Sequence, residues 1–118
     1  ASIPRKEVEF VYDLYSKGKT EEAIKQIKTL NKKYPNQPLL FNLIGACYKD
    51  TGQLEGSVKM FNIAVSLQPK YAEAYFNLGA VLNDLDQKDK SVESYKKAIA
   101  IKPDFVQAHY NLGFILKI

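Results

Sequence analysis

Apolar side chains recur at intervals of three and four residues along most of this 118-residue chain. Phe41, Ile44 and Tyr48 follow this spacing, and Phe61 and Ala64 follow it again further along. Residues spaced in this way lie on one face of an α-helix, where they can be buried together. The pattern therefore predicts an all-α fold built from amphipathic helices.

The pattern also repeats over a longer interval. Pro35, Pro69 and Pro103 follow one another at a spacing of 34 residues. The same interval aligns seven further columns, which are Gly45, Gly79 and Gly113; Ile44, Leu78 and Leu112; Phe41, Tyr75 and His109; Tyr48, Leu82 and Leu116; Ala23, Ser57 and Ser91; Ile27, Phe61 and Tyr95; and Leu30, Ala64 and Ala98. Such a period indicates a tandem array, and each period has room for two helices.

Short polar turns separate the two helices of each period. Gly18 and Gly52 lie in the first two turns, where glycine favours the left-handed backbone that ends a helix. Asp86 takes this place in the third copy, and aspartate tolerates the same conformation. The prolines of the 34-residue spacing are expected to end each second helix.

Small residues recur inside the predicted helices. Gly45 and Gly79 form one such column, and Ser57 and Ser91 form another. Glycine within a helix costs about 1 kcal/mol relative to alanine, so its recurrence predicts a packing role. We expect the two helices of each hairpin to approach closely here, with aromatic rings filling the remaining space.

The order of these columns resembles the tetratricopeptide repeat: an aromatic, Leu-Gly, another aromatic or Leu, a small residue, an aromatic and a closing Pro. The resemblance covers nearly the whole chain. It implies a right-handed superhelical array of antiparallel helix hairpins, with three full repeats plus one extra helix. The expected units are a divergent N-terminal cap at 4–37, repeats at 38–71 and 72–105, and the first helix of an incomplete repeat at 106–118.

The resemblance also implies a concave wall made by the first helix of each repeat, where a peptide lies. The first-helix positions not needed for packing combine aromatic rings with amides. Amides bond to peptide backbone and rings cover apolar side chains, so this mixture suits an extended segment. The predicted groove residues are Tyr12, Tyr15, Asn42, Lys49, Glu73, Phe76, Asn77, Asn83, Tyr110, Asn111 and Phe114.

Two binding patterns that occur in this family make different demands on these positions. The carboxylate clamp of chaperone-binding members needs basic residues and asparagines on consecutive first helices. Val8, Tyr12, Leu43 and Glu73 stand at those places, so an acidic C-terminal tail is not the expected ligand.

A second pattern fits in part. Residues 75–79 and 109–113 resemble the arrays that precede O-linked N-acetylglucosamine transferase domains, in which a ladder of asparagines holds substrate backbone. Asn77 and Asn111 occupy that ladder, and Asn42 lies one position early. The alternative is that these asparagines form hydrogen bonds only on a solvated face.

A net charge of +4 is compatible with binding to nucleic acid. However, sixteen of the seventeen basic residues are lysine, and only Arg5 has the guanidinium group that forms bidentate hydrogen bonds with bases. Clusters of lysine fall on second helices, where solvation is their expected role: Lys25, Lys28, Lys32, Lys33, Lys96 and Lys97. We therefore expect a protein or peptide partner, no nucleic acid and, without a sufficiently long apolar run, no membrane span.

The sequence holds no constellation typical of catalysis, so we expect no enzymatic activity in this chain, no cofactor and no metal. Cys47 is expected to fill the hairpin interior, and His109 to replace a packed aromatic ring. Asp84, Asp86 and Asp89 lack the glycine and distal glutamate of a calcium loop. A single cysteine cannot form an intrachain disulfide, which favours a reducing compartment such as the cytoplasm.

Three functions remain open at this point. The first is a scaffold that binds an extended peptide in the concave groove. The second is a substrate-recruiting or oligomerising array at the N-terminus of a longer enzyme, such as a glycosyltransferase, sulfotransferase or hydroxylase. The third is a homodimer formed through an uncovered apolar face on the last helix. The residues predicted for that face are Leu112, Ile115, Leu116 and Ile118.

Overall fold

A computed structural model describes residues 2–117 of the chain. These residues form seven helices and no strand, as the pattern predicted. The helices are α1 (Arg5–Ser16), α2 (Thr20–Lys33), α3 (Pro38–Asp50), α4 (Leu54–Leu67), α5 (Ala72–Asp84), α6 (Lys88–Ile101) and α7 (Val106–Leu116). Helices α1 and α2, α3 and α4, and α5 and α6 form three hairpins, and α7 packs beside α6.

The turns inside the hairpins have the predicted geometry. Gly18 and Gly52 have φ angles of 75° and 80°, and Asp86 has a φ of 59°. Pro35, Pro69 and Pro103 each lie two residues beyond the end of a second helix. Because proline cannot donate a backbone hydrogen bond, each helix ends and the chain turns into the next hairpin.

The small columns bring the two helices of each hairpin together. At Gly45, a Cβ atom would lie only 2.6 Å from the ring of Phe61. The buried hydroxyl of Ser57 donates a 2.7 Å hydrogen bond to the carbonyl of Gly45. The next hairpin repeats both contacts, with Tyr95 against Gly79 and Ser91 bonded to the Gly79 carbonyl at 2.6 Å.

The first hairpin solves the same packing problem with other residues. Val11 stands in the glycine column, Ala23 in the serine column and Ile27 in the aromatic column, and all three are buried. A branched side chain on α1 occupies the room that the ring takes in the other hairpins. Ala23 has no hydroxyl, so the hydrogen bond that Ser57 and Ser91 make in the other hairpins is absent here.

Successive first helices are joined by polar contacts between residues 35 positions apart. The Tyr15 hydroxyl donates to the carboxylate of Asp50 at 2.5 Å, which links α1 to α3. The amide of Asn77 donates to Asn42 at 3.0 Å, and Lys49 lies 3.7 Å from Asp84. The latter two contacts link α3 to α5, so neighbouring first helices are held along one side of the array.

Two predictions for α7 were wrong. Ile115 is only 8% exposed and packs with Tyr95 and Ala108 in the core. It belongs to the column of Cys47 and Val81, both of which are buried.

His109 is exposed, where a packed ring was expected. Its Nε2 lies 2.7 Å from the carbonyl oxygen of Pro103. A histidine ring N–H can donate a hydrogen bond to that carbonyl, whereas the ring carbons of Phe or Tyr cannot. Leu116 is 62% exposed, as predicted, and Leu112 is half-buried. Ile118 lies outside the described residues.

None of the helices in residues 2–117 is both long and apolar enough to span a lipid bilayer.

The glycine column gives a matched pair of substitutions. Gly45→Ala should lower the free energy of unfolding by about 1 kcal/mol, since an overpacking cost of about 1–3 kcal/mol exceeds a gain in helix propensity of about 1 kcal/mol. A Cβ atom built on Gly113 would meet no other side chain or neighbouring helix within 4 Å, so Gly113→Ala should instead stabilise slightly. Urea unfolding of both variants measures this, and equal effects would contradict the proposed packing role.

Candidate functional site

The first helices line a hollow of about 350 Å³ that runs from α1 across α3 to α5. Its walls are mostly apolar side chains, with amide and carboxylate groups among them. The lining residues are Val11, Tyr12, Tyr15, Asn42, Leu43, Ala46, Cys47, Glu73, Phe76, Asn77, Phe105 and Gln107. Six of the predicted groove residues therefore meet in one place, which we call the larger hollow.

Two asparagines of the larger hollow are hydrogen-bonded to each other. Asn77 donates to the Oδ1 of Asn42 at 3.0 Å, and Asn42 also bonds to the hydroxyl of Tyr71. Burial raises the pKa of Tyr71, and the bond from Asn42 opposes this rise. An amide offers two N–H donors and an acceptor, so Asn77 with one internal bond and Asn42 with two each keep hydrogen-bonding capacity for a ligand.

Phe76 forms the floor of the larger hollow beside α7. Its ring stacks on Phe105 at a centroid distance of 4.9 Å and tilts against Tyr95 at 5.7 Å. Lys102 lies 4.8 Å from the centre of the Phe105 ring and 3.8 Å from the carboxylate of Glu73. The stack holds a rigid aromatic surface at low entropy cost, which is useful for covering a ligand side chain.

A smaller hollow of about 270 Å³ lies between α5 and α7. Its lining residues are Ala80, Asn83, Asp84, Tyr95, Tyr110, Asn111, Phe114 and Ile115. Asn111 donates to the Tyr95 hydroxyl at 3.3 Å, and burial raises the pKa of that hydroxyl. Four predicted groove residues meet in this second place, and Tyr110 and Phe114 are largely exposed there.

Lys49 is the one predicted groove residue that lines neither hollow. Its ammonium group faces Asp84 at 3.7 Å instead, beside the smaller hollow. Tyr15 lines the larger hollow but directs its hydroxyl to Asp50. Burial, followed by the hydrogen bond to Asp50, raises the pKa of Tyr15 to about 12. These two contacts fix the spacing of neighbouring helices along the groove.

Charge is divided between the two kinds of helix. The first helices (α1, α3, α5 and α7) carry three basic and six acidic side chains, whereas the second helices (α2, α4 and α6) carry nine basic and five acidic ones. The positive net charge of the chain therefore does not come from the helices that line the groove. Of the acidic side chains on the first helices, Glu73 lines the larger hollow, and Asp84 lines a second, smaller one.

Several lining residues were missed by the sequence interpretation. Phe105 lies in the link before α7 and Tyr95 belongs to a second helix, whereas the predicted groove residues were all taken from first helices. Val11 and Cys47 were assigned to packing only, and Leu43 was placed at a position of the carboxylate clamp but was not among the predicted groove residues. Tyr71 and Phe105 occupy the same column of consecutive copies. This repeated aromatic could have indicated that Phe105 has a structural role in the link before α7.

Comparison with known families agrees with this geometry. The sequence profile described as TPR repeat matches residues 45–86 and 81–117, which is more than half of the chain. The chain belongs to the TPR repeat family. No curated protein sequence matches it significantly. The two matched stretches include the best-preserved columns of the TPR pattern, whereas the divergent first hairpin lies outside them.

Solved TPR structures share the fold. The Sgt2 TPR domain from Aspergillus fumigatus aligns with a TM-score of 0.92 at 21% identity, over 99% of this chain and 80% of that chain. The first TPR of Spaghetti (RPAP3), bound to the HSP90 peptide SRMEEVD, aligns at 0.88 and 23%, over 92% and 86%. A mutant O-GlcNAc transferase from Thermobaculum terrenum aligns at 0.89 and 21%, over 98% of this chain and 23% of that chain.

Cys47 is buried, as predicted, at the back of the larger hollow. Burial is the largest cause that raises the pKa of its thiol to about 11, and the charge of Asp50 adds to it. A thiol with such a pKa is a poor nucleophile at neutral pH. Over residues 2–117, no three histidine, cysteine or carboxylate side chains are grouped so as to hold a metal ion.

The raised pKa predicts slow alkylation of Cys47. A shift from 9.0 to about 11 lowers the thiolate fraction at pH 8 roughly 100-fold, and burial slows the reaction further. Iodoacetamide should therefore label the folded protein at least 100 times more slowly than the urea-unfolded protein, as followed by mass spectrometry. Comparable rates in the two states would show that the thiol is accessible through the hollow.

Proposed function

We propose that this chain is a protein-interaction scaffold that binds an extended peptide segment along its first helices. The observation that carries the proposal is the larger hollow, in which an aromatic floor at Phe76 lies beside the amide pair of Asn42 and Asn77. An apolar side chain of the ligand sits on the ring, and the amides meet its backbone. Peptide binding by the first TPR of Spaghetti supports this use of the fold.

The ligand is a neutral or basic segment with an apolar side chain. The first helices carry twice as many acidic as basic side chains, and Glu73 stands at the edge of the larger hollow. Val8, Tyr12, Leu43 and Glu73 occupy the positions where a carboxylate clamp needs cations and asparagines. An acidic tail would therefore lose solvation without gaining a matching partner.

Two substitutions in the larger hollow test this assignment. In a fluorescence-anisotropy screen of a peptide library, Phe76→Ala should weaken the selected peptides at least tenfold, because it removes the aromatic floor. Asn77→Ala should weaken them about fivefold through a lost hydrogen bond. Asn62→Ala on the exposed face of α4 is the matched control and should leave affinity unchanged. Binding that survives both groove substitutions would place the ligand elsewhere.

A second candidate function is self-association through α7. Gly45 and Gly79 are covered by Phe61 and Tyr95, whereas a Cβ atom built on Gly113 would meet no other side chain or neighbouring helix within 4 Å. Leu116 is 62% exposed, although Leu82 of the same column is buried. We propose that this face of α7, consisting of Leu112, Gly113 and Leu116, packs against the same face of a second copy. Glycine at its centre permits close approach of the two helices, and an isologous pair is the commonest closed assembly.

Sedimentation velocity over a range of concentrations tests self-association. The wild type should form a weak dimer at high concentration, and Leu116→Lys should abolish it by placing an unpaired charge in the interface. Leu67→Lys, on an exposed leucine of α4, is the matched control and should dimerise like the wild type. A wild type that stays monomeric, or a Leu116→Lys variant that still dimerises, would contradict the proposal.

A further inference from the structure

The larger hollow contains a single carboxylate. Among the described residues that line it, Glu73 is the one acidic side chain, and none is a lysine or an arginine. The side chain of Glu73 is 55% exposed, so a ligand in the hollow can reach it. A ligand that covers Glu73 takes a negative charge out of water, which costs free energy unless the ligand brings a positive charge.

A cation of the chain itself already lies beside this carboxylate. The ammonium group of Lys102 is 3.8 Å from the carboxylate of Glu73 and 4.8 Å from the centre of the Phe105 ring. A carboxylate and the face of an aromatic ring both attract a positive charge. Glu73 and Phe105 both line the larger hollow, and we call this pair the cation site.

Lys102 fills the cation site loosely. Its distance of 3.8 Å from Glu73 is longer than the 2.7–2.9 Å typical of a charge-assisted hydrogen bond. Its side chain is 46% exposed, and ion pairs between exposed groups contribute little to stability. A carboxylate has about four acceptor positions, so most of the capacity of Glu73 is left for a second cation. A ligand can therefore displace Lys102 at little cost.

Arginine fits the cation site better than lysine does. A planar guanidinium donates two parallel hydrogen bonds to one carboxylate and also stacks on an aromatic ring. The ammonium group of lysine is a compact point charge without a plane to stack. The geometry of the cation site, with a carboxylate next to a ring, therefore favours an arginine side chain.

The spacing along α5 also suits an extended segment. Glu73 and Phe76 are three residues apart, which is close to one helical turn of about 5.4 Å. Alternate side chains of an extended segment point to the same side and lie about 7 Å apart. A segment with an arginine at Glu73 therefore places the side chain two positions away over the ring of Phe76.

We propose that the segment bound in the larger hollow carries an arginine, whose guanidinium binds Glu73 and stacks on Phe105 in place of the Lys102 ammonium. An apolar residue two positions from this arginine covers Phe76. The inference rests on the proposed function, because it names the charged residue of the peptide that the groove binds. Lys102 is then an internal competitor that lowers the affinity for such segments.

Selection from a displayed library of random peptides tests the cation site. Peptides selected on the wild type should be enriched in arginine, with an apolar residue two positions away. Glu73→Gln keeps the shape of the side chain but removes its charge, so this variant should select apolar peptides without the arginine. Glu93→Gln removes a glutamate of α6 that pairs with Lys97 and lines neither hollow, and it should select the same peptides as the wild type.

Citrulline, a neutral residue with nearly the shape of arginine, measures the contribution of the charge. In the tightest selected peptide, arginine to citrulline should weaken binding to the wild type about tenfold by fluorescence anisotropy, as expected for a charged hydrogen bond, and should have no effect in Glu73→Gln. Lys102→Gln should tighten the arginine peptide about twofold. Lys97→Gln is the matched control, since Lys97 also lies near a glutamate and a ring, and it should change nothing.

Three results would overturn the inference. Selected peptides that need Phe76 but show no arginine enrichment would reject the arginine and leave the proposed groove standing. An equal effect of citrulline in the wild type and in Glu73→Gln would place the arginine away from the cation site. A selection that yields no peptide sensitive to Phe76→Ala would reject the proposed function together with the inference.

Discussion

Close approach of the two helices in a hairpin is the contact on which the rest of the array depends. In the second and third hairpins, a glycine on the first helix admits a ring from the second, and a serine bonds to the carbonyl of that glycine. These contacts fix the distance between the helices and the rotation of each first helix about its axis. The rotation in turn decides which side chains face the groove, and therefore where Phe76 and Asn77 are presented.

The same constraint explains why the two sides of the array differ chemically. Each first helix packs against the array with one face and lines the groove with another. Its polar side chains are largely amides, carboxylates and hydroxyls, and some of them also bond to neighbouring helices. Tyr15 to Asp50, Asn42 to Asn77 and Lys49 to Asp84 illustrate this double use. The second helices do not line the groove in this way. They carry nine of the seventeen basic residues.

Departures from the repeat are the informative positions. Asn31 breaks an apolar column and leaves a buried acceptor without a partner, and His109 breaks an aromatic column and meets a backbone carbonyl. Gly113 keeps its column but lacks the ring that covers the other two glycines. A residue that follows the period is explained by packing within the array. A residue that departs from it, or that is left uncovered, needs an explanation of its own.

The sequence by itself determined the helices, their pairing and half of the residues that line the two hollows, because a 34-residue period requires each column to occupy an equivalent place in every copy. It also determined that Cys47 is buried and that Asp86 adopts a left-handed turn. The repeat column that Ile115 shares with Cys47 also pointed to its burial. Only the tertiary structure decided that Phe105 stacks on Phe76 and that Lys49 turns to Asp84. These features depend on the angle between neighbouring hairpins and on distances across them, which periodicity along the chain does not encode.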